Sequence, residues 1–125
     1  MRILAPISLG ELIDKITILE LKLEYIKDEL KLQNCQHELD ELMAILKTLI
    51  IQPFPQSQRE ALKEVNRRLW HIENFKRECE SNGRFDRAFI EAGREVYLNN
   101  DLRAAIKKQI NVQTGSAIVE EKSYS

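Results

Sequence analysis

Glycine and proline are scarce in this chain, with four of the first and three of the second in 125 residues. That leaves little material for glycine-rich phosphate-cradling loops or for a turn-rich β fold, and points to helix as the bulk of the structure. Charge of one sign is also missing. Lys and Arg total 19 against 20 Asp and Glu, a net charge of −1, so the basic footprint of a nucleic-acid binder or a polybasic membrane anchor is absent. No window approaches the ~20 uninterrupted apolar residues that span a bilayer, because charges recur from Glu11 onward. The opening apolar stretch from Ile3 to Ile7 is too short for a signal-peptide core and is interrupted by Pro6, which reads as a cytoplasmic protein. Cys35 and Cys79 are the only cysteines and fall on apolar helical stripes. They read as buried free thiols rather than as a disulfide or a metal pair. His37 and His71 have no HxxxH or CxxC neighbour, so no metal and no cofactor is expected. What is present, 43% hydrophobic and 31% charged residues, fits one globular domain over residues 1–125.

Ser8-Leu9-Gly10-Glu11 has the form of a capping box, the Ser8 side chain accepting from the Glu11 backbone and Glu11 reaching back. From there Leu9, Leu12, Ile16, Leu19, Leu23, Ile26 and Leu30 recur three and four apart, the seam of helices packing at a shallow angle. Ile18, Leu21 and Tyr25 fall on the opposite side. The first helix is therefore apolar on two faces, which places it centrally or between its own fold and a partner. The next stripe, Leu32, Cys35, Leu39, Leu42, Leu46 and Leu49, is two residues out of step with Leu30. A break near Lys27 to Lys31, with Asp28 as N-cap of a second helix, accounts for the slip. Pro53 and Pro55 make Ile51 to Gln56 a loop.

Ser57-Gln58-Arg59-Glu60 is a second capping-box pattern. It opens a helix with the stripe Leu62, Val65, Leu69, Ile72 and Cys79, closed by Asn82-Gly83. Phe85, Phe89, Ala92 and Val96 mark a fourth helix, and Asn99-Asn100-Asp101 predict a turn and a fresh N-cap. Leu102, Ala105, Ile106 and Ile110 make the apolar face of a fifth helix ending at Thr114-Gly115. The expectation is an all-α bundle of four to five helices, near 9–27, 29–50, 58–82, 86–98 and 101–113, with long coiled-coil-like N-terminal helices. Arg2 to Ala5 form a short extended segment, for which the β-branched tail Ala117-Ile118-Val119 is the pairing candidate.

The opening Pro6-Ile7-Ser8-Leu9-Gly10-Glu11-Leu12-Ile13-Asp14-Lys15-Ile16-Thr17-Ile18-Leu19-Glu20-Leu21-Lys22 is distinctive. So is the close, with Tyr97, Asn100-Asp101, Arg103-Ala104, Ile106-Lys107, Ile110-Asn111, Gly115-Ser116 and Val119-Glu120-Glu121-Lys122-Ser123-Tyr124. Together they resemble a family of small bacterial all-helical proteins catalogued only as a domain of unknown function. Leu69-Trp70, Ile72-Glu73 and Arg77-Glu78 fit its middle, so the resemblance covers nearly the whole chain. It implies a helical fold and brings no reaction with it. Members often carry a proline near the end of the first helix, where this chain has Lys27-Asp28-Glu29. The first two helices are therefore either bent there or run on as one rod.

Arg103, Lys107 and Asn111 are successive i, i+4 positions and line one side of the last helix. With Ser116 just beyond, the row has the donors to hold a phosphate or carboxylate, or alternatively to bind Glu120 and Glu121 of the chain's own tail. Glu20 projects near the seam and is a candidate buried acid. Asp14 sits on the second apolar face, where a cap or an ion pair is expected of it. Trp70 lies off the stripe of its helix among Lys63, Asn66 and Arg77, a wet location for a large ring, and joins Ile18, Leu21 and Tyr25 as an interface candidate. Glu38 and Glu41 form an ExxE pair without the downstream ExxD that a magnesium site would need, and read as a solvated face.

No catalytic constellation is present, so no catalytic residue is assigned and the reading leans away from an enzyme. The first reading is a helical interaction or oligomerisation protein, expected to be a homodimer or to bind a partner's helix. The alternative is a domain that binds a small ligand such as a phosphate, sugar nucleotide or dicarboxylate. Its enzymatic variant resembles the chorismate-mutase type, with Arg103 and Lys107 holding a dicarboxylate and Glu20 assisting. The first helix lacks the arginine that such enzymes place there, and fold analogy is a weak warrant for function. Nucleic-acid binding ranks last, and neither a nucleic-acid nor a membrane partner is expected.

Overall fold

Ser8 opens the first helix, its Oγ accepting from the Glu11 N–H at 3.0 Å, and α1 runs Leu9–Tyr25. The computed structural model, which describes residues 1–124, continues with α2 Glu29–Lys47, α3 Gln56–Ser81 and α4 Arg87–Thr114. The fold is an all-helical bundle in which α1 packs on each of the other three helices, while α2 packs only on α1. The seam face of α1 is buried inside this arrangement, and of the second face Leu21 is buried while Ile18 and Tyr25 are half-buried. Leu12 and Ile16 are buried with Leu46 of α2, and Leu39, Leu42 and Met43 lie alongside. Ile13 is buried with Leu62 and Val65 of α3 and with Ile106 and Ile110 of α4. Leu21, on the second face, is 1% exposed. Side chains of this kind contribute roughly 1.5–3 kcal/mol each on full burial, so these clusters hold the domain together.

The first two helices are bent apart, not one rod. Ile26 leaves α1 in an extended conformation, and Asp28 caps α2 by accepting from the Lys31 N–H at 3.0 Å. The chain reverses there, so that Leu46 near the end of α2 meets Leu12 near the start of α1. This explains the slip between the two stripes, and it leaves Leu30 largely in solvent.

Four expectations are corrected. The residues Asn99-Asn100-Asp101 do not break the chain, and the expected helices 86–98 and 101–113 are one helix, α4. The Asn99 amide donates to the Glu95 carbonyl at 2.8 Å, so it bonds within the helix instead of competing with it. The third helix begins at Gln56 rather than by a Ser57 capping box. Pro55 sits at its N-cap, where the missing N–H costs nothing, and no side chain caps it. The helices near 9–27 and 29–50 stop earlier, at Tyr25 and Lys47. Finally, among the described residues there is no strand. Arg2 reaches Glu41 of α2 at 2.8 Å, and the tail is held by ion pairs to α4.

Cys79 is buried and Cys35 half-buried, and both thiols are free. Among the described residues no helix is long and apolar enough to cross a membrane. The two longest helices, α3 and α4, have 26 and 28 residues. At ~1.5 Å per residue they form a hairpin ~40 Å long, and only one half of it meets the core described above.

Candidate functional site

The first turn of α1 lies against the second half of α4 at backbone contact. A Cβ on Gly10 would sit 2.6 Å from the Lys107 carbonyl oxygen, so only glycine permits this approach. The approach satisfies the free donors of the helix start. The Gly10 N–H donates to Asn111 Oδ1 at 2.7 Å, and the Leu9 N–H to Ser116 Oγ at 3.3 Å. Gly115 closes α4 in the left-handed conformation, φ 69°, and the Ser116 N–H then bonds back to the Asn111 carbonyl at 2.9 Å. This turn sends the tail back along α4.

Asp14 is the hub beneath that contact. Its side chain is fully buried and accepts from Arg103 through both oxygens, with Nε to Oδ1 at 2.9 Å and Nη2 to Oδ2. The Asn66 amide of α3 donates to Asp14 Oδ1 at 2.9 Å and to Thr17 Oγ1 at 3.0 Å, and the Thr17 hydroxyl donates to the Asp14 carbonyl at 2.8 Å. Lys107 stands one turn beyond Arg103 and faces three carboxylates: Glu11, Glu120 at 3.2 Å and Asp14 at 4.0 Å. Ser8 donates to Glu120 from the other side. Among the described residues no buried side-chain polar atom is left without a partner.

The ionisations follow from these contacts. The Asp14 hydrogen bond, opposed by burial, raises the Arg103 pKa above the ordinary arginine value. Burial pulls the Lys107 ammonium down, but the hydrogen bond to Glu11 and the charges of Asp14 and Glu11 outweigh it, so its pKa is raised. For Glu120, burial pushes upward and the bonds from Ser8 and Lys107 outweigh it, so its pKa is lowered.

Arg103, Lys107, Asn111 and Ser116 are thus brought together, and all four bond to the chain itself, Arg103 through only part of its guanidinium. Asn111 and Ser116 hold the start of α1. Lys107 holds Glu120, while Glu121 pairs with Lys108 and Lys122 with Asp101 at 2.8 and 2.9 Å. The acids that the row binds are the chain's own: Asp14 and Glu11 of α1 and, through Lys107 alone, Glu120 of the tail. Glu20 is not buried: its side chain is 28% exposed and faces Arg59 and Lys63 of α3 at 3.7 and 3.8 Å. Tyr25 and Trp70 meet each other, with ring centroids 5.6 Å apart and planes 23° from parallel. The Tyr25 hydroxyl also accepts from Arg67 at 2.7 Å, which ties the end of α1 to α3. Ile18, Leu21 and Trp70 line a cavity of about 380 Å³ among α1, α3 and α4, which Arg103 also lines. A second, larger cleft of about 750 Å³ lies between α4 and the tail.

Three residues of this region escaped the sequence reading. Asn66, read as wet, is 6% exposed, and the signal for it was a polar residue beside Val65 on a buried stripe. Glu11 pairs with Lys107 rather than completing the capping box. The Gly10 contact had no local signal. Among the described residues no group of three or more His, Cys, Asp or Glu is placed to hold a metal ion.

A bundle of this size, with its first helix clasped by the last and by a folded-back tail, defines a small all-helical protein. The chain belongs to the family of unknown function DUF6165, which it matches over residues 3–125. No curated protein and no solved structure matches it.

Proposed function

We propose that this protein is a non-catalytic helix-pairing module that associates with a second copy of itself through the far end of the hairpin formed by α3 and α4. One observation carries the reading. Between Trp70 and Asn99 the hairpin has a single buried side chain, Cys79, while Phe85, Ile90, Tyr97 and Leu98 are 45 to 59% exposed. Exposed apolar surface that is contiguous marks a contact surface, and Ile90 with Tyr97, one heptad apart on α4, is the pair best placed to form it. Ile90 and Tyr97, seven residues apart, share one face of α4, and Leu98 and Leu102, four apart, form a second row about 100° round the helix. Arg94 lies between the two rows and Glu91 and Glu95 lie beside Leu98 and Leu102, so both signs of charge are mixed with the apolar side chains, which suits a like partner better than a nucleic acid.

Sedimentation velocity across a wide concentration range tests this. The wild-type protein should dimerise reversibly, and Tyr97→Glu with Leu98→Glu should remove the dimer without lowering the thermal midpoint measured in protein dilute enough to be monomeric. A wild-type protein that stays monomeric throughout contradicts the reading.

A second reading, binding of a small anion, is favoured by Arg103, which keeps N–H groups without protein acceptors beside a cavity. Its chorismate-mutase-like variant has less support, because Glu20 lines neither cavity.

A further inference from the structure

We infer that the cavity among α1, α3 and α4 is a binding site for a small organic acid, a carboxylate or phosphate carried on an apolar body. This inference rests on the ligand-binding reading and is independent of self-association. The cavity measures about 380 Å³, within the roughly 300–1,000 Å³ usual for small-ligand sites. Ile18, Leu69 and Trp70 supply an apolar wall, and Asn74, Asn100 and Arg103 supply polar groups around it.

Arg103 sets the chemical preference. Of its five N–H groups, one on Nε and one on Nη2 go to Asp14, and the other three have no protein acceptor among the described residues. Asp14 is in turn fixed by Asn66 of α3, so the guanidinium is already oriented before a ligand arrives. A planar fork held from behind by a carboxylate presents its remaining donors to a second one, or to a phosphate, with the two-point geometry that a lysine lacks. Lys107 does not compete for that ligand, because Glu11, Asp14 and Glu120 surround it. Glu73, the acid at the rim of the cavity, is neutralised by Lys76 and Arg77 at 3.7 and 3.2 Å. Trp70 is braced on one side by Tyr25, which keeps its ring in place as a wall for the ligand's apolar part.

Trp70 is the only tryptophan in the chain, so tryptophan emission comes from one side chain, which stands in the wall of this cavity. Cyclohexanecarboxylate and cyclohexyl phosphate serve as probes, with cyclohexanecarboxamide as the neutral control, each titrated by fluorescence and in parallel by calorimetry. At least one acid should change the Trp70 emission saturably, and the amide should bind at least ~10-fold more weakly. Arg103→Lys retains the charge that Asp14 needs but loses the fork, and should weaken acid binding by ~10-fold or more. If that variant does not fold, Asn100→Ala, which leaves the Asp14 network intact, should still weaken binding measurably. Equal responses to acid and amide overturn the acid preference. Heat of binding without any change in Trp70 emission overturns the cavity while leaving anion binding elsewhere. No heat and no emission change for any probe overturns both.

Discussion

At the base of the hairpin formed by α3 and α4, Leu62, Val65, Ile106 and Ile110 are buried against Ile13, and Asn66 is satisfied within a network centred on Asp14. At its far end the same two helices bury Cys79 and leave Ile90, Tyr97 and Leu98 in solvent. The difference comes from α1, whose 17 residues cover only part of partners that are 26 and 28 residues long. Two helices alone cannot enclose a core, and most helical stability comes from tertiary packing of an apolar face. The base is therefore enclosed by the chain itself, whereas the far end leaves apolar side chains in solvent, where the proposed association is placed.

Removing the hub of the base should have the largest effect. Asp14→Ala leaves Arg103 and Asn66 without their buried acceptor and should cost about 3 kcal/mol or more in urea denaturation, within the range for breaking one side of a buried pair. A loss of a few tenths would mean that the network does not hold the base. Gly10→Ala should come next, at about 1–3 kcal/mol, because the new methyl meets the Lys107 backbone. On propensity alone the same substitution in a helix would stabilise, so the sign of the change tests the contact.

The tail clasp should contribute less. Glu120→Gln should cost below ~1 kcal/mol, as expected for a partly exposed ion pair, and should loosen Ser116 to Tyr124 in amide NMR spectra. The pH dependence follows from the two ionisations. The lowered Glu120 pKa means that its contribution is complete above the ordinary 4.5 and is lost as pH falls through the folded value below that. The raised Lys107 pKa means that its contribution is complete below the ordinary 10.5 and is lost as pH rises through the folded value above that. The clasp should thus hold across neutral pH and open at both extremes, and Glu120→Gln should abolish the acid limb. Smallest of all should be Ile90→Ser at the far end, within ~0.5 kcal/mol of wild type in monomer stability. The same substitution should weaken self-association in sedimentation, the reverse of the pattern at the base.

The local devices of this fold were legible in the sequence. The Ser8 cap, the break before Asp28 and the two-faced first helix each depend on residues within a few positions of one another, and each appears in the structure. Of the alternative in which Arg103, Lys107 and Asn111 bind Glu120 and Glu121, only the Lys107 to Glu120 pair is present, because Arg103 and Asn111 are taken by α1 and Glu121 by Lys108. What stayed hidden depends on distant partners. Asn66 is buried because Asp14, 52 residues away, gives it an acceptor. Asn99-Asn100-Asp101 reads as a turn because its side chains can bond their own backbone. The Asn99 amide does so without leaving the helix, through the Glu95 carbonyl. Tyr25 and Trp70 each read as interface candidates, and their stacking on one another could not be inferred from either helix alone.

Hydrogen exchange on the wild-type protein at low and high concentration tests the division between base and far end most directly. The amides of residues 73–98 should exchange faster than those of residues 58–69 and 103–111 in dilute protein, and should slow selectively as concentration rises. Equal protection of both ends of the hairpin, unchanged by concentration, would contradict it.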